Sequence, residues 1–166
     1  MENIKVTSSI DFKTYFNISL LVSFKLRTIL MMIVFSVLIS YFLMSDSSFQ
    51  LWMKLIISLL IFVVYGGLII LLIYITCRRN IKRSPVLNEI LIFTLNADKI
   101  ELKGDSINVT QTWKYIIKLI EREKYFLLMP SARTFHYLPK SGFESPEDIT
   151  RFKNLVKEKG VKTVYH

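Results

Sequence analysis

The sequence has few of the residues that build metal centres and covalent crosslinks. Its 166 residues include one cysteine and two histidines. A single cysteine excludes an internal disulfide framework, and the two residue types together are too few for a Cys/His zinc centre. Five glycines and four prolines exclude a collagen-like or low-complexity chain. A hydrophobic content of 52% excludes general disorder.

What the sequence does have is a large apolar fraction beside a formal net charge of +9, and the two are separated along the chain. Residues 28–44 form a run of 17 without a charge, and residues 55–77 form a run of 23. A helix needs about 20 apolar residues to cross the hydrocarbon core of a bilayer. The pattern predicts two membrane-spanning helices that form a hairpin over residues 28–77. We interpret the first as an uncleaved anchor, since no small-residue cleavage site follows it.

The basic residues beside these runs predict the orientation of the hairpin. Lysine and arginine accumulate on the cytoplasmic side of membrane spans, and here they precede the first run and follow the second, whereas residues 45–53 contain none. The residues concerned are Lys25, Arg27, Arg78, Arg79, Lys82 and Arg83. We therefore expect a multi-pass protein of the cell membrane with both termini in the cytoplasm. Since neither run contains an acidic residue, a basic residue or a histidine, the sequence argues against a pump or secondary transporter.

Small residues within the hairpin are candidates for helix packing. Ser36 and Ser40 are four residues apart, and Gly66 and Gly67 lie near the middle of the second run. Small side chains allow helix backbones to approach closely in lipid. A hinge or a ligand groove at the glycine pair is the alternative interpretation.

The sequence changes abruptly at residues 78–85, which we interpret as a basic juxtamembrane linker. Four basic residues in six positions also suit a nucleic-acid patch. Directly after a membrane span, they are more typical of an anchor to anionic lipid headgroups, so we expect no nucleic-acid partner. Cys77, at this boundary, is either an acylation site or a buried thiol.

Residues 1–27 are predicted to form a cytoplasmic amino-terminal strand followed by an amphipathic helix. Alternation around Ile4 and Val6 favours the strand, and aromatic residues at helical spacing from Phe12 to Phe24 favour the helix. This helix lies in the membrane interface, packs on the soluble part, or extends the first span; the sequence leaves the three alternatives open.

Residues 86–166 are predicted to form a cytoplasmic α+β domain. Alternating apolar residues with short turns indicate an antiparallel meander of strands between residues 90 and 138. Ser145, Pro146 and Asp148 then mark the start of an amphipathic helix, and Gly160 marks its end. A small antiparallel sheet capped by a carboxy-terminal helix has the outline of a pleckstrin-homology-like (PH-like) domain.

Two short motifs in this domain contain Trp113 with Ile116, and Leu138, Pro139 and Lys140 with Phe143. These motifs resemble those of the YcxB-like family of bacterial membrane proteins. The resemblance implies two transmembrane helices, a PH-like carboxy-terminal domain and a bacterial cell membrane as the location. It implies no reaction.

The sequence offers no catalytic, cofactor-binding or metal-binding residue set. His136 is expected on the solvated face of a strand, and no nucleophile or carboxylate is placed to form a triad with it. Lys140, with Lys114, Lys118 and Arg133, is expected either to face anionic lipid or to form an ordinary solvated face. We therefore predict a protein that is not an enzyme and identify no small-molecule substrate.

The predicted function is that of a non-catalytic membrane protein. Its PH-like domain would bind a protein partner or the membrane surface, the lipid bilayer would be its surroundings, and association into a homo-oligomer stays open. The alternative is an immunity protein that protects the cell against a membrane-active toxin or bacteriocin.

Overall fold

The computed structural model describes residues 3–43, 50–132 and 134–165. The chain forms two compact units. One comprises Phe12–Arg79 and is called the helical unit below; the other comprises Met1–Asp11 with Asn80–His166 and is called the β domain. The chain is α+β, as predicted.

The helical unit contains α1 (Phe12–Ser23), α2 (Leu26–Leu43) and most of α3, which begins at Leu51 and ends at Arg83. Among the described residues, α3 alone is long and apolar enough to cross a membrane, and α1 and α2 satisfy the same criterion when taken together as one bent segment. The bend between them is 68°, so α1 is not a straight extension of α2. Most of the predicted connection between the spans lies outside the described residues.

The predicted linker at residues 78–85 is helical for most of its length. α3 runs through the basic residues as far as Arg83, and Pro85–Leu87 form a short 3-10 helix. Lysine and arginine are good helix formers, and cations in a last turn interact favourably with the helix dipole. The change in composition therefore marks no change in secondary structure before the proline.

The first sheet of the β domain is antiparallel in the order β1-β2-β3-β4. Its strands are β1 (Ile4–Ser8), β2 (Leu91–Leu95), β3 (Lys99–Lys103) and β4 (Asn108–Thr112). β1 pairs with β2 from Ile4↔Leu95 to Ser8↔Leu91. The amino-terminal strand thus exists as predicted. It belongs to the β domain, however, and not to one amino-terminal segment with α1 as we expected from the sequence.

The second sheet has the order β7-β6-β5-β8. Its strands are β5 (Lys118–Glu121), β6 (Tyr125–Met129), β7 (His136–Pro139) and β8 (Lys162–Tyr165). β5, β6 and β7 form the later part of the predicted meander, and β8 is parallel to β5. The expectation of one purely antiparallel sheet is therefore wrong, since the strands form two sheets and one pairing is parallel. The parallel pairing is possible because α4 (Pro146–Glu158) supplies the crossover connection.

The signals at both ends of α4 are confirmed. The Ser145 hydroxyl accepts a hydrogen bond from the Asp148 amide at 3.2 Å, and Gly160 adopts φ 66° after the helix. The apolar face of α4 enters the core, where the Phe152 ring lies 5.1 Å from Phe126 and 5.6 Å from Phe143. The core therefore joins both sheets to the helix.

Candidate functional site

The helical unit exposes most of its apolar side chains. In α2 the buried residues are Met32, Ser36 and Ser40, four residues apart, while neighbours such as Phe35 and Leu38 are about half exposed. The apolar part of α3 has no buried residue within its most hydrophobic stretch. An exposed apolar surface of this extent is typical of membrane or protein contact.

Three of the four predicted packing residues lie where α2 and α3 meet. The Ser40 hydroxyl donates to the Lys54 carbonyl oxygen on α3 at 3.0 Å, and the buried Ser36 donates to Ile33 within its own helix at 2.8 Å. A Cβ at Gly66 would lie 3.2 Å from the Met32 methyl group, whereas one at Gly67 would meet nothing within 4 Å. Gly66 therefore contributes to packing and Gly67 does not.

The amino-terminal helix packs against the carboxy-terminal half of α3 through aromatic rings. Phe12 and Phe16 make edge contacts with Tyr74, with ring centroids 5.4 and 5.7 Å apart. The 68° bend excludes only a straight continuation of α2 into α1, so the three alternatives for this helix stay predictions.

The basic topology residues all lie on the surface. Lys25, Arg27, Arg78, Arg79, Lys82 and Arg83 are exposed. Cys77 is 3% exposed, which favours the interpretation as a buried thiol over that as an acylation site.

The motif at residues 138–143 connects β1 to the rest of the β domain. Leu138 is fully buried, and Phe143 forms an isolated antiparallel bridge with Val6. A Cβ at Gly142 would collide with the Thr7 carbonyl oxygen. The other motif residues are also structural: Trp113 and Ile116 are buried, and the Trp113 indole donates to the Asn96 carbonyl oxygen at 2.7 Å.

Lys140 belongs to an ion-pair cluster, which we call the Glu121 cluster. One Glu121 carboxylate oxygen accepts from Lys140 at 2.9 Å and from Lys153 at 2.6 Å, and both ammonium groups lie over the Phe126 ring. Burial alone would raise the pKa of Glu121, but hydrogen bonds and charge from Lys153 and Lys140 outweigh it, and the pKa is lowered. The charge of Lys140 is thus largely satisfied within the domain, which does not favour the lipid-facing role. Lys114 is exposed, Lys118 is partly exposed, and Arg133 lies outside the described residues.

A polar cleft lies beside the Glu121 cluster, between α4 and the strands β5 and β8. Its volume is about 520 Å³, and its polar lining includes Lys153, Asn154, Lys157 and Thr163. The cleft carries both signs of charge, so it has no strong preference for an anion or a cation.

A second, mostly apolar cavity of about 210 Å³ opens between the two sheets; we call it the intersheet cavity. It is lined by side chains of β2, β3 and the following turn, by residues 134–137, and by residues near the end of β1 and at positions 86–89. Its apolar lining includes Leu91, Phe93, Leu102, Ile107 and Phe135. Ser8, Glu89 and His136 supply polar atoms.

His136 lines this cavity, so the expectation of a solvated ring is wrong. Its ring lies edge-on to Phe93 at 5.6 Å, and Nε2 lies 3.4 Å from the Gln111 side-chain oxygen. Burial lowers the pKa of His136, because an apolar environment disfavours the charged imidazolium. The residue is therefore a neutral polar group in an apolar wall at neutral pH. Alternation did not reveal this, because Phe135, His136 and Tyr137 are all partly buried.

Within residues 3–43, 50–132 and 134–165, no three His, Cys, Asp or Glu side chains are grouped to hold a metal ion. The arrangement offers recognition surfaces: an apolar helical surface with basic ends, a polar cleft and an apolar cavity.

Comparison with known proteins finds the family that the sequence motifs resemble. A model of the YcxB-like protein family matches residues 95–156. The chain is 23% identical over 111 residues to "Uncharacterized protein YcxB" of Bacillus subtilis (strain 168). The match covers 67% of this chain and 60% of that relative, so the chain spans less than two thirds of the relative's length. No solved structure matches. The matched segment, which contains Trp113, Leu138 and Phe143, is thus similar to the YcxB-like family of bacterial proteins.

Proposed function

We propose that the protein is a membrane-anchored, non-catalytic binding protein. The helical unit spans the bilayer as a hairpin, both termini are cytoplasmic, and the β domain, with its PH-like succession of two sheets and a helix, binds a partner at the inner membrane surface. The observation that carries this proposal is the exposed apolar surface of α2 and α3. Residues 28–44 and 55–77 contain no charged side chain, and exposed lysines and arginines lie beside them.

The dimensions of α3 support the proposal. Its uncharged stretch of 23 residues, at about 1.5 Å of rise per residue, extends roughly 35 Å and exceeds the roughly 30 Å hydrocarbon core. The basic residues in the final turns of α3 then reach the headgroup level, where anionic lipids attract them.

The bend before α2 also supports the proposal. A 68° change of direction between α1 and α2 suits a helix that leaves a span and lies in the membrane interface. Lys25 is exposed at the bend, and its long side chain can reach the phosphate groups while its methylene groups stay in apolar surroundings.

Alkaline carbonate extraction of membranes from expressing cells tests the membrane assignment. We expect the unmodified protein to stay in the membrane pellet. The double variant Leu60→Lys/Leu71→Lys, which changes two exposed positions of α3, should be released, because each central lysine costs about 3 kcal/mol on insertion. Ile90→Lys, at an exposed position of the β domain, is the matched control and should stay in the pellet. Release of the unmodified protein would contradict the proposal.

A further inference from the structure

We propose that the intersheet cavity is a binding site for an uncharged apolar group, alkyl or aromatic, that also offers one hydrogen-bonding atom to His136. The group belongs to a small free molecule or is the end of a lipid chain. This inference deepens the binding role proposed above and rests on it. It does not depend on the orientation of the helices, because every lining residue belongs to the β domain.

The size of the cavity defines the size of the group. Protein interiors are packed closely and rarely leave voids much larger than a water molecule. A dry apolar cavity of about 150 Å³ accommodates benzene, so the 210 Å³ here is suited to about six to eight carbon atoms. The walls consist mainly of Leu, Ile and Phe side chains, of which Leu91, Phe93 and Leu102 belong to the first sheet.

The polar atoms of the cavity indicate which end of a ligand would be held by a hydrogen bond. The contact between His136 Nε2 and the Gln111 side-chain oxygen, at 3.4 Å, is long for a hydrogen bond. A hydroxyl or carbonyl group of a ligand can make a shorter one. Ligand sites are commonly of this kind, mostly apolar with a few placed polar groups.

The charges around the cavity exclude an anionic ligand. None of the described lining residues is a lysine or arginine, and the one ionised group is the Glu89 carboxylate. That carboxylate accepts a hydrogen bond from the Ser106 amide at 2.9 Å, so it stays negative at the rim. A ligand carboxylate would enter an apolar space beside a like charge, which is strongly unfavourable.

The imidazole signals of His136 report on the cavity directly. The chain has two histidines, so a His166→Ala background leaves His136 as the only one. We would record its ring resonances by NMR in the full chain in lipid nanodiscs, and add 1-hexanol or, as the charged analogue, hexanoate. Because only ring signals are observed, partitioning of the probe into lipid does not contribute a site-specific change.

We expect the His136 signals to shift saturably with 1-hexanol and to stay unchanged with hexanoate. Ile107→Phe, which fills the cavity, should abolish the shift, and Val109→Phe, at an exposed position of the next strand that does not line the cavity, should retain it. The comparison of 1-hexanol with hexanoate uses the His166→Ala background alone, without a substitution in the cavity. It therefore remains valid if Ile107→Phe fails to fold.

A second measurement distinguishes the two sources of the group. Cross-relaxation between the His136 ring and lipid-chain protons, lost in chain-deuterated nanodiscs, would identify the end of a lipid chain as the occupant and support the inference. Absence of both the hexanol shift and the lipid cross-relaxation would overturn it. Carbonate extraction decides the membrane assignment separately, so the two failures are distinguishable.

Discussion

Gly142 lies against the backbone of Thr7, so closely that no side chain fits between them. The two residues are far apart in sequence, yet this contact fixes β1 beside the 3-10 turn at Lys140–Gly142. Val6 and Phe143 form a bridge one residue away on each segment. These contacts thus close a domain whose first strand lies before the helical unit and whose other strands lie after it.

Replacing Gly142 with alanine should destabilise the β domain by about 3 kcal/mol, because the new methyl group displaces the β1 backbone. Hydrogen exchange should show loss of protection in residues 4–8 first. Ser141→Ala, at the exposed neighbouring position, is the control and should change little. Equal protection in both variants would show that the contact is not needed.

The Glu121 cluster should contribute to stability only while its carboxylate is ionised. Glu121→Gln should cost about 1–2 kcal/mol near pH 7, since it leaves Lys140 and Lys153 facing each other without the anion. The pKa of Glu121 is lowered in the folded state, so the stabilisation is complete above the unfolded pKa and is lost as pH falls through the folded pKa. Chemical unfolding of both proteins should therefore show a difference at pH 7 that shrinks in acid. A difference that is independent of pH would mean that packing, not charge, is responsible.

His136 should make the β domain less stable in mild acid. Burial lowers the pKa of its imidazole in the folded state, so below about pH 6.5 the unfolded chain binds the proton more readily and stability decreases. The decrease approaches about 1.4 kcal/mol per pH unit until the folded pKa is reached. Unfolding measured between pH 7.5 and 5.5 should show a slope that His136→Gln reduces. An unchanged slope in the variant would assign the effect to other groups.

The two central glycines of α3 should respond differently to enlargement. Gly66→Leu forces extra atoms against Met32 and should lower the melting temperature of the helical unit in detergent by several degrees. Gly67→Leu adds a side chain where nothing lies within 4 Å and should leave the melting temperature nearly unchanged. Circular dichroism during heating measures both. Equal effects would show that α2 and α3 do not pack at Gly66.

Local sequence signals predicted most of the elements. The uncharged runs, the alternation of β2 and β3 and the capping residues of α4 each depend on neighbours within a few positions. For that reason the helices, the meander and the ends of α4 could be predicted from the sequence alone.

The remaining features depend on contacts between distant residues. Alternation in β1 indicates a strand but not its partner β2, more than 80 residues away. Lys140 and Lys153 meet Glu121 from separate elements, so their pairing has no local signature. The four residues of β8 follow a helix that could equally have been the end of the domain, and only their pairing with β5 reveals the strand.

We propose a membrane hairpin with the β domain in the cytoplasm, and cysteine accessibility in intact cells measures this topology. In a Cys77→Ala background, Gln50→Cys marks the start of α3 and Thr110→Cys marks the β domain, both at exposed positions. We expect a membrane-impermeant maleimide to label position 50 in intact cells and position 110 only after permeabilisation. Labelling of position 110 in intact cells, or of neither position before permeabilisation, would contradict the account.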